Sequence, residues 1–275
     1  MSLPPPGPDA AVLVTGASSG IGAAVARVLA GRGHPTVLVA RRGDALTELA
    51  AELRAVSGQV SEVHAADLGT DAGLTLTRDL LDEDRVVGLV NAAGFGVTGR
   101  VADLAGDADQ RAALDGLVRL NVLALHDLTV AAVGALTRRV SEDRPGAILN
   151  VSSITAFQPL PGAASYAASK AFVQSFSEAV HAELAGTGLT LTTLSPGLTR
   201  TGFADAAGTD AFDQVPDLVV GEAADVAEAG VAAMARGDRS VTPGLVNQLS
   251  AVGGRVAPRT LLLPALKAGM EAFGA

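Results

Sequence analysis

The single tyrosine of this 275-residue chain, Tyr166, lies four residues before Lys170, which is one of only two lysines. The helix predicted over Ser165–Ala185 would place the two side chains on one face, because residues four apart are helical neighbours. An ammonium about 4 Å from a phenol favours the phenolate by roughly 4 kcal/mol at an effective dielectric constant of about 20. That energy could lower a tyrosine pKa by up to roughly three units from its usual value near 10. Tyr166 is therefore a candidate acid/base, although an ordinary surface pair would show the same spacing.

A glycine-rich turn follows the first predicted strand. Gly16, Gly20 and Gly22 separate that strand from the first predicted helix. Glycines here allow a tight turn, let backbone N–H groups approach a pyrophosphate, and place the positive end of the helix against the phosphates. The spacing is G-x-x-x-G-x-G and not the common G-x-G-x-x-G, so a structural turn without a ligand is the alternative.

The second predicted strand ends in two arginines, Arg41 and Arg42. An NAD site would place Asp or Glu near Ala40 to bind the ribose 2′-hydroxyl. Guanidinium groups instead form paired hydrogen bonds with phosphate oxygens, so the arginines favour the 2′-phosphate of NADP. Two solvated arginines at a strand end are the alternative interpretation.

The glycine turn also contains Gly16-x-Ser18-x-Gly20, the pattern of a hydrolase nucleophile elbow. In a serine hydrolase Ser18 would be the nucleophile. The elbow normally follows a strand deep in the sheet, and here it follows the first strand. No histidine comes after His181 to serve as the base, so the hydrolase is the weakest hypothesis.

Composition excludes several classes of protein. Hydrophobic residues make up 48% of the chain and charged residues 18%, which is too apolar for intrinsic disorder. A net charge of −9 argues against nucleic-acid binding. No metal site is expected, because there are no cysteines and the four histidines form no HxH or HxxxH pair. No signal peptide or transmembrane run is found, so we expect a cytoplasmic location.

Apolar β-branched runs alternate with Ala/Leu-rich segments of helical period. This alternation predicts an α/β protein with a single doubly wound, parallel, seven-stranded sheet (a Rossmann fold) and helices on both faces. The predicted strands are Ala11–Thr15, Thr36–Ala40, Gln59–His64, Val86–Asn91, Ala147–Val151, Thr190–Leu194 and Ser240–Thr242. The predicted helices are Gly22–Ala30, Asp44–Val56, Thr70–Leu81, Asp109–Arg139, Ser165–Ala185 and Glu222–Ala235.

No linker divides the chain, so residues 10–244 are expected to form one domain. Residues 1–9 contain four prolines and are predicted to be a flexible, polyproline-like lead-in. Residues 245–275 are an apolar C-terminal extension in which Pro264 should interrupt any long helix. The extension could cover the substrate pocket, join a subunit interface or rest on a membrane. Membrane contact is the least expected, because the chain is acidic and basic residues are few.

These motifs follow the order of the short-chain dehydrogenase/reductase family, which the sequence resembles over about residues 10–244. Thr15-Gly16-x-x-x-Gly20-x-Gly22 resembles the family's cofactor loop, and Tyr166-x-x-x-Lys170 its Y-x-x-x-K motif. Asp67-Leu68 resembles the pair that contacts adenine. Asn91-Ala92-Ala93-Gly94 resembles N-N-A-G with Ala92 in place of an asparagine. Pro196-Gly197-x-x-x-Thr201 resembles the segment that closes over the nicotinamide.

The resemblance implies an NADP(H)-dependent oxidoreductase that transfers a hydride between the nicotinamide and a carbonyl or secondary alcohol. Tyr166 would protonate the carbonyl oxygen and Ser153 would hydrogen-bond it. Lys170 would bind the nicotinamide ribose and lower the Tyr166 pKa, and Asn121 would hold a water that links Lys170 to solvent. The implied cofactor-binding residues are Gly16, Ser18, Ser19, Gly20, Ile21, Gly22, Arg41, Arg42, Asp67, Leu68, Asn91, Ala92, Gly94, Tyr166, Lys170, Pro196, Gly197, Thr199 and Thr201.

The family resemblance also predicts the kind of substrate and the oligomeric state. A substrate lid is expected over residues 200–221, and an apolar carbonyl or alcohol is the expected substrate. The lid contains Phe203, Phe212, Val215 and Leu218, and Phe95 and Phe157 could form the pocket floor. A homodimer or homotetramer built on the helices Asp109–Arg139 and Ser165–Ala185 is implied. A non-catalytic NADP-binding regulator of the same fold is the alternative, although such proteins often lose the Tyr or the Lys.

Overall fold

Seven parallel strands form one sheet in the computed structural model, which describes residues 2–201 and 220–272. They are β1 (Ala11–Thr15), β2 (Thr36–Ala40), β3 (Ser61–Ala65), β4 (Val86–Asn91), β5 (Gly146–Val151), β6 (Leu189–Leu194) and β9 (Ser240–Val241). The order across the sheet is β3–β2–β1–β4–β5–β6–β9, so the direction of winding reverses between β1 and β4. Two short segments, β7 (Thr199–Arg200) and β8 (Gly221–Glu222), pair separately in parallel. The predicted doubly wound fold is confirmed.

Helices cover both faces of the sheet. They are α1 (Gly20–Gly31), α2 (Gly43–Ser57), α3 (Asp71–Leu81), α4 (Val101–Leu104), α5 (Ala108–Val118), α6 (Leu125–Thr137), α7 (Ala164–Glu183), α8 (Ala223–Arg236), α9 (Leu245–Val256) and α10 (Arg259–Ala272). A π-helical segment, Arg119–Ala124, joins α5 to α6, and a 3-10 turn, Ile154–Phe157, follows β5.

Alternating side chains of the strands build two cores, because successive residues of a strand point to opposite faces. Val12 and Val14 of β1 pack with α1, α2 and α8 on one face. Ala11 and Leu13 pack with α3, α6 and α7 on the other. The central strands are buried on both faces, which explains their uniformly apolar sequences.

The predicted helix Asp109–Arg139 is one helical run, Ala108–Thr137, in the structure, and a π-helical turn at Arg119–Ala124 lies in its middle. By length and composition alone, Ala108–Thr137 could cross a membrane; 44% of its apolar window is buried within the protein. The buried face of α6 contributes Leu128 and Leu136 to the second core, as expected of a core helix.

The proline-rich start is ordered against the domain, contrary to the predicted flexible lead-in. Ser2, Leu3 and Pro4 are buried, and Leu3 belongs to the first core. The Ser2 N–H donates to the Ala235 carbonyl oxygen at 2.9 Å. Apolar burial and a backbone hydrogen bond thus fix a segment whose prolines suggested only an extended chain.

The C-terminal extension is helical through Pro264, which was expected to interrupt it. The helical structure is interrupted at Pro258, which lies between α9 and α10, and α10 continues across Pro264. A proline removes one hydrogen bond to the carbonyl four residues earlier. That carbonyl belongs to Thr260, which is exposed to solvent, so the lost bond is tolerated.

Candidate active site

A cavity of about 680 Å³ lies at the carboxyl ends of β1, β2, β4, β5 and β6. It spans the point between β1 and β4 where the winding of the sheet reverses, which is where open α/β sheets bind ligands. Every implied cofactor-binding residue except Asn91 lines this cavity, together with Ser153. Asn121 does not line it.

The glycine turn is fixed tightly to the end of β4. Gly16 has a φ of 66°, and a Cβ atom on it would lie 2.7 Å from the backbone of Ala93. The Thr15 hydroxyl accepts hydrogen bonds from the N–H groups of Ala92 and Ala93 at 3.1 and 3.3 Å, and donates to the Val90 carbonyl oxygen. Only glycine fits this close approach between two strand ends.

The amino terminus of α1 opens into the cavity. Ser19 occupies the N-cap position without a side-chain capping bond, and the first turn contains no acidic residue. Helix N-termini of this kind attract phosphate groups through free N–H groups and the helix dipole. Arg42 lies over the turn, where its Nη2 donates to the Ser18 carbonyl oxygen at 3.1 Å. The exposed Arg41 lines the same end of the cavity.

The serine hydrolase hypothesis is not favoured by this arrangement. The Ser18 hydroxyl accepts a hydrogen bond from Arg42 Nη2 at 3.3 Å. None of the four histidines, all within the described residues, lines the cavity. Ser18 therefore has a cation beside it and no base.

Asp67 and Leu68 follow β3 and line the cavity beside the arginines. The Asp67 carboxylate accepts the Gly69 N–H at 2.8 Å, and its carbonyl accepts the Thr70 hydroxyl at 2.7 Å. These bonds shape the turn into α3 and leave the exposed Asp67 at the cavity edge.

Ser153, Tyr166 and Lys170 meet at the end of β5. Tyr166 and Lys170 lie one turn apart on α7, as predicted, and the Tyr166 hydroxyl is hydrogen-bonded to Ser153. Lys170 Nζ donates to the Val151 carbonyl oxygen at 3.0 Å. The Ser152 hydroxyl donates to the Lys170 carbonyl oxygen at 2.9 Å. These reciprocal bonds fix α7 to the strand that leads to Ser153. Helix α7 begins at Ala164, one residue before the predicted start at Ser165.

The pKa of Tyr166 is shifted in the direction opposite to the prediction. Burial raises it to about 12, while the hydrogen bond from Ser153 acts to lower it. The Tyr166 residue is only half-buried, but its hydroxyl lies among protein atoms. Burial also lowers the pKa of Lys170 to about 8. The ammonium approaches the tyrosine ring, 5.8 Å from its centre, and bonds Val151, so desolvation of the phenol dominates.

Two asparagines turn away from the cavity. Asn91 donates to Asn150 Oδ1 at 3.0 Å and to the Thr129 hydroxyl at 3.1 Å inside the core. Asn121, in the π-helical segment, donates to the Phe95 carbonyl oxygen at 2.9 Å and accepts its N–H at 3.1 Å. The Asn91 side chain therefore points into the core, and cofactor binding by Asn91 stays a prediction. Asn121 holds the chain after β4 in place.

Sequence reasoning missed many of the other residues that line the cavity, and it wrongly assigned one residue to the cavity floor. Phe95 lines the cavity as expected, whereas Phe157 is buried outside it. Much of the missed wall follows β4 or β5 or directly precedes α7: Gly96, Val97, Thr98, Ile154, Thr155, Leu160 and Ala163. Their place after the carboxyl ends of strands was the available signal. The expected lid residues Phe203, Phe212, Val215 and Leu218 lie outside the described residues.

Comparison with known proteins agrees with this geometry. The short chain dehydrogenase family model matches residues 10–211. Sulfoacetaldehyde reductase 2 of Chromohalobacter salexigens is 36% identical over 227 residues, covering 79% of this chain and 85% of that protein. The seven-stranded parallel sheet with helices on both faces is the Rossmann-like fold of short-chain dehydrogenase structures. The chain belongs to the short-chain dehydrogenase family.

Two solved structures resemble the whole chain. A short-chain dehydrogenase from Sphingobium yanoikuyae in complex with NADPH is 34% identical, with a TM-score of 0.75 and 95% of each chain covered. The bulky-bulky ketone specific alcohol dehydrogenase from Comamonas testosteroni is 29% identical, with a TM-score of 0.73, covering 99% of this chain and 95% of that one. The family is one of oxidoreductases, and these relatives support a nicotinamide cofactor.

Proposed function

We propose that the protein is an NADPH-dependent oxidoreductase that interconverts a carbonyl compound and a secondary or primary alcohol, with Tyr166 as the acid/base. The observation that carries the proposal is the meeting of Ser153, Tyr166 and Lys170 in the same cavity as the glycine turn. The free amino terminus of α1, the close-packed Gly16 and the two arginines form a donor set that fits a dinucleotide phosphate.

When bound, NADPH supplies the hydride that adds to the carbonyl carbon. Tyr166 gives its proton to the carbonyl oxygen, and its raised pKa keeps the phenol protonated for that step. The Ser153 hydroxyl donates a hydrogen bond to the same oxygen and stabilises the negative charge that develops there. Lys170 has three N–H donors, of which the Val151 carbonyl accepts one, so a ribose hydroxyl can accept another.

Preference for NADPH over NADH rests on Arg41 and Arg42. Both follow β2 and line the cavity, where a 2′-phosphate would accept their N–H groups. Position 40, where an NAD site would have an acidic residue, is alanine.

An uncharged, mainly apolar carbonyl compound is the proposed substrate. Phe95, Val97, Ile154 and Leu160 are apolar side chains of the cavity wall, and Lys170 on α7 is a charged one. Arg41 and Arg42 follow β2, three strands from β5, which is about 14 Å at ~4.8 Å per strand. These apolar side chains favour ketones of the Comamonas enzyme's kind over the anionic aldehyde named for the Chromohalobacter relative.

Cofactor preference is tested by fluorescence titration with NADPH and NADH. Arg41→Ala and Arg42→Ala should each weaken NADPH binding by about tenfold, the effect of losing one charged hydrogen bond, and leave NADH binding unchanged. Arg54→Ala, on the surface of α2, is the control. Equal affinity for the two cofactors in the wild type would overturn the preference.

The reaction is tested with a panel of carbonyl compounds and NADPH. Tyr166→Phe should lower kcat by about 10²–10⁴-fold, the usual effect of losing a general acid, with NADPH binding retained. Within the panel, 4-methylbenzaldehyde should react faster than 4-formylbenzoate, which differs by its negative charge. If NADPH binds but no carbonyl is reduced, the non-catalytic regulator becomes the better hypothesis.

We also propose that the protein forms a homo-oligomer. Leu123, Val130 and Phe172 are large exposed apolar residues on the expected interface helices. His126 lies against Phe176, with ring centres 5.0 Å apart and ring planes tilted by 42°. Light scattering should give a dimer or tetramer for the wild type and a smaller species for Leu123→Glu.

A further inference from the structure

Helix α9 packs directly on the 3-10 turn that begins after Ser153. A Cβ atom on Gly254 would lie 3.0 Å from both the Phe157 carbonyl oxygen and Gln158 Oε1, so backbone meets backbone there. At its other end, α9 contacts the loop that follows β6. There the Asn247 amide leaves no space for a Cβ atom on Gly197. None of the described residues of α9 lines the cavity.

Arg255 joins α9 to the turn and to α7. Its guanidinium lies over the Phe157 ring, 4.4 Å from the ring centre, in cation–π geometry. Its Nη2 also lies 3.4 Å from Glu178 Oε1. Arg255 is therefore the side chain of α9 that fixes the far end of the turn carrying Ser153.

Hydrogen bonds connect Glu178 to the loop that follows β6. Glu178 Oε1 accepts a hydrogen bond from Gln174 Nε2 at 2.9 Å, and Gln174 Oε1 accepts one from the Ser195 hydroxyl at 2.7 Å. Ser195 directly precedes Pro196, whose carbonyl oxygen accepts the Ile154 N–H at 2.9 Å. The 3-10 turn after Ser153 and the loop after β6 are thus hydrogen-bonded to each other, and α9 contacts both.

We infer that α9 is a brace for the carbonyl end of the active site and that Arg255 is a positioning residue, which holds the Ser153 turn at its working distance from Tyr166. The inference rests on the proposed function and adds a role for the C-terminal extension. Arg255 touches neither the cavity nor the reacting atoms. Its effect passes through Phe157 to the turn, where a small displacement of a catalytic group is costly.

The test compares two arginines that both approach Glu178. Arg239 Nε lies 3.8 Å from Glu178 Oε1, but within residues 2–201 and 220–272 its guanidinium lies over no aromatic ring. Arg255→Ala should lower kcat by about fivefold or more, a factor for which a shift of only ~1 kcal/mol suffices, and change the NADPH Kd by less than about twofold. Arg239→Ala should leave both constants near wild type, and Arg255→Lys should recover most of kcat by keeping a cation over the ring.

Two adjacent glycines supply a second, independent pair of variants. Gly254→Ala should displace the 3-10 turn. A Cβ atom on Gly253 has no atom within 4 Å, so Gly253→Ala should behave as wild type. Amide hydrogen exchange of residues 153–158 should rise in Arg255→Ala and Gly254→Ala alone. Unchanged exchange, a kcat for Arg255→Ala within twofold of wild type, or an equal loss in Arg239→Ala would overturn the brace. If wild type reduces no carbonyl but the exchange still rises, the proposed function fails and the brace stands.

Discussion

Lys170 and Val151 are joined by a 3.0 Å hydrogen bond from the ammonium to the last carbonyl of β5. The bond holds a charged group, only 6% exposed, at the strand end that leads to Ser153. Burial lowers the pKa of this ammonium to about 8, so the charge is retained at neutral pH and lost in mildly alkaline solution. The position of the lysine therefore has a consequence for stability as well as for chemistry.

Lys170 should make stability increase with pH in the alkaline range. In the unfolded chain its pKa is the ordinary 10.5 and in the folded protein about 8, so the unfolded state binds more protons between these values. Its contribution to the free energy of unfolding should rise by up to about 1.4 kcal/mol per pH unit there. Denaturant unfolding from pH 7 to 10 should show this slope for wild type and for Lys267→Met, which changes the exposed lysine. A slope retained in Lys170→Met would contradict the assignment.

Asn121→Ala should lower stability as well as activity. Its carboxamide pairs with both the N–H and the carbonyl of Phe95 and donates to the Ser169 hydroxyl at 3.2 Å. Leaving buried backbone groups without a partner costs roughly 1–3 kcal/mol. Thermal and denaturant unfolding measure the loss. Reduced activity at unchanged stability would instead favour the water-holding role implied by the family.

Asn150→Ala should destabilise the core beneath the active site. Asn150 accepts from Asn91 and donates to the Ser177 hydroxyl at 2.9 Å, so its loss removes two buried hydrogen bonds. The free energy of unfolding should fall by roughly 1–3 kcal/mol or more. Thr193→Val on the neighbouring region of β6 is the control, because that buried hydroxyl has no partner among the described residues. An equal effect of both substitutions would argue against the network.

His34 should make the protein less stable as the pH falls below neutral. Burial lowers its pKa below 6.5, against the opposing effect of its hydrogen bond with the Ala10 carbonyl. The unfolded chain then binds more protons in mildly acidic solution, so stability is lost as the pH falls through this range. His34→Gln should flatten the pH dependence of unfolding between pH 7 and 5. His126→Gln, at an exposed position, should keep it.

Periodicity predicted the sheet well because each central strand is apolar on both faces. The bounds of β1, β2 and β4 are those expected, since turn glycines, arginines or an asparagine mark their ends. The family resemblance predicted Ser153, Tyr166 and Lys170 as partners of the glycine turn, and the structure places all of them on one cavity.

Side-chain direction was the part that the sequence did not contain. Asn91 and Asn121 lie at motif positions, but their partners, Asn150 and Phe95, are distant in sequence and decide where the amides point. The pKa of Tyr166 depends on how much protein surrounds its hydroxyl, which spacing along one helix does not reveal. Phe157 was misplaced for the same reason, because Arg255 and α9 cover it.

The placement of Tyr166 at the cavity makes the protein its own optical reporter. The chain has no tryptophan and no second tyrosine, so all of its phenol absorbance and all of its tyrosine emission come from this one ring. Alkaline difference spectra would follow the ionisation of a single residue, without background from any other phenol. Quenching of that emission by an added dinucleotide would report on events at the centre of the cleft, and no label would be needed.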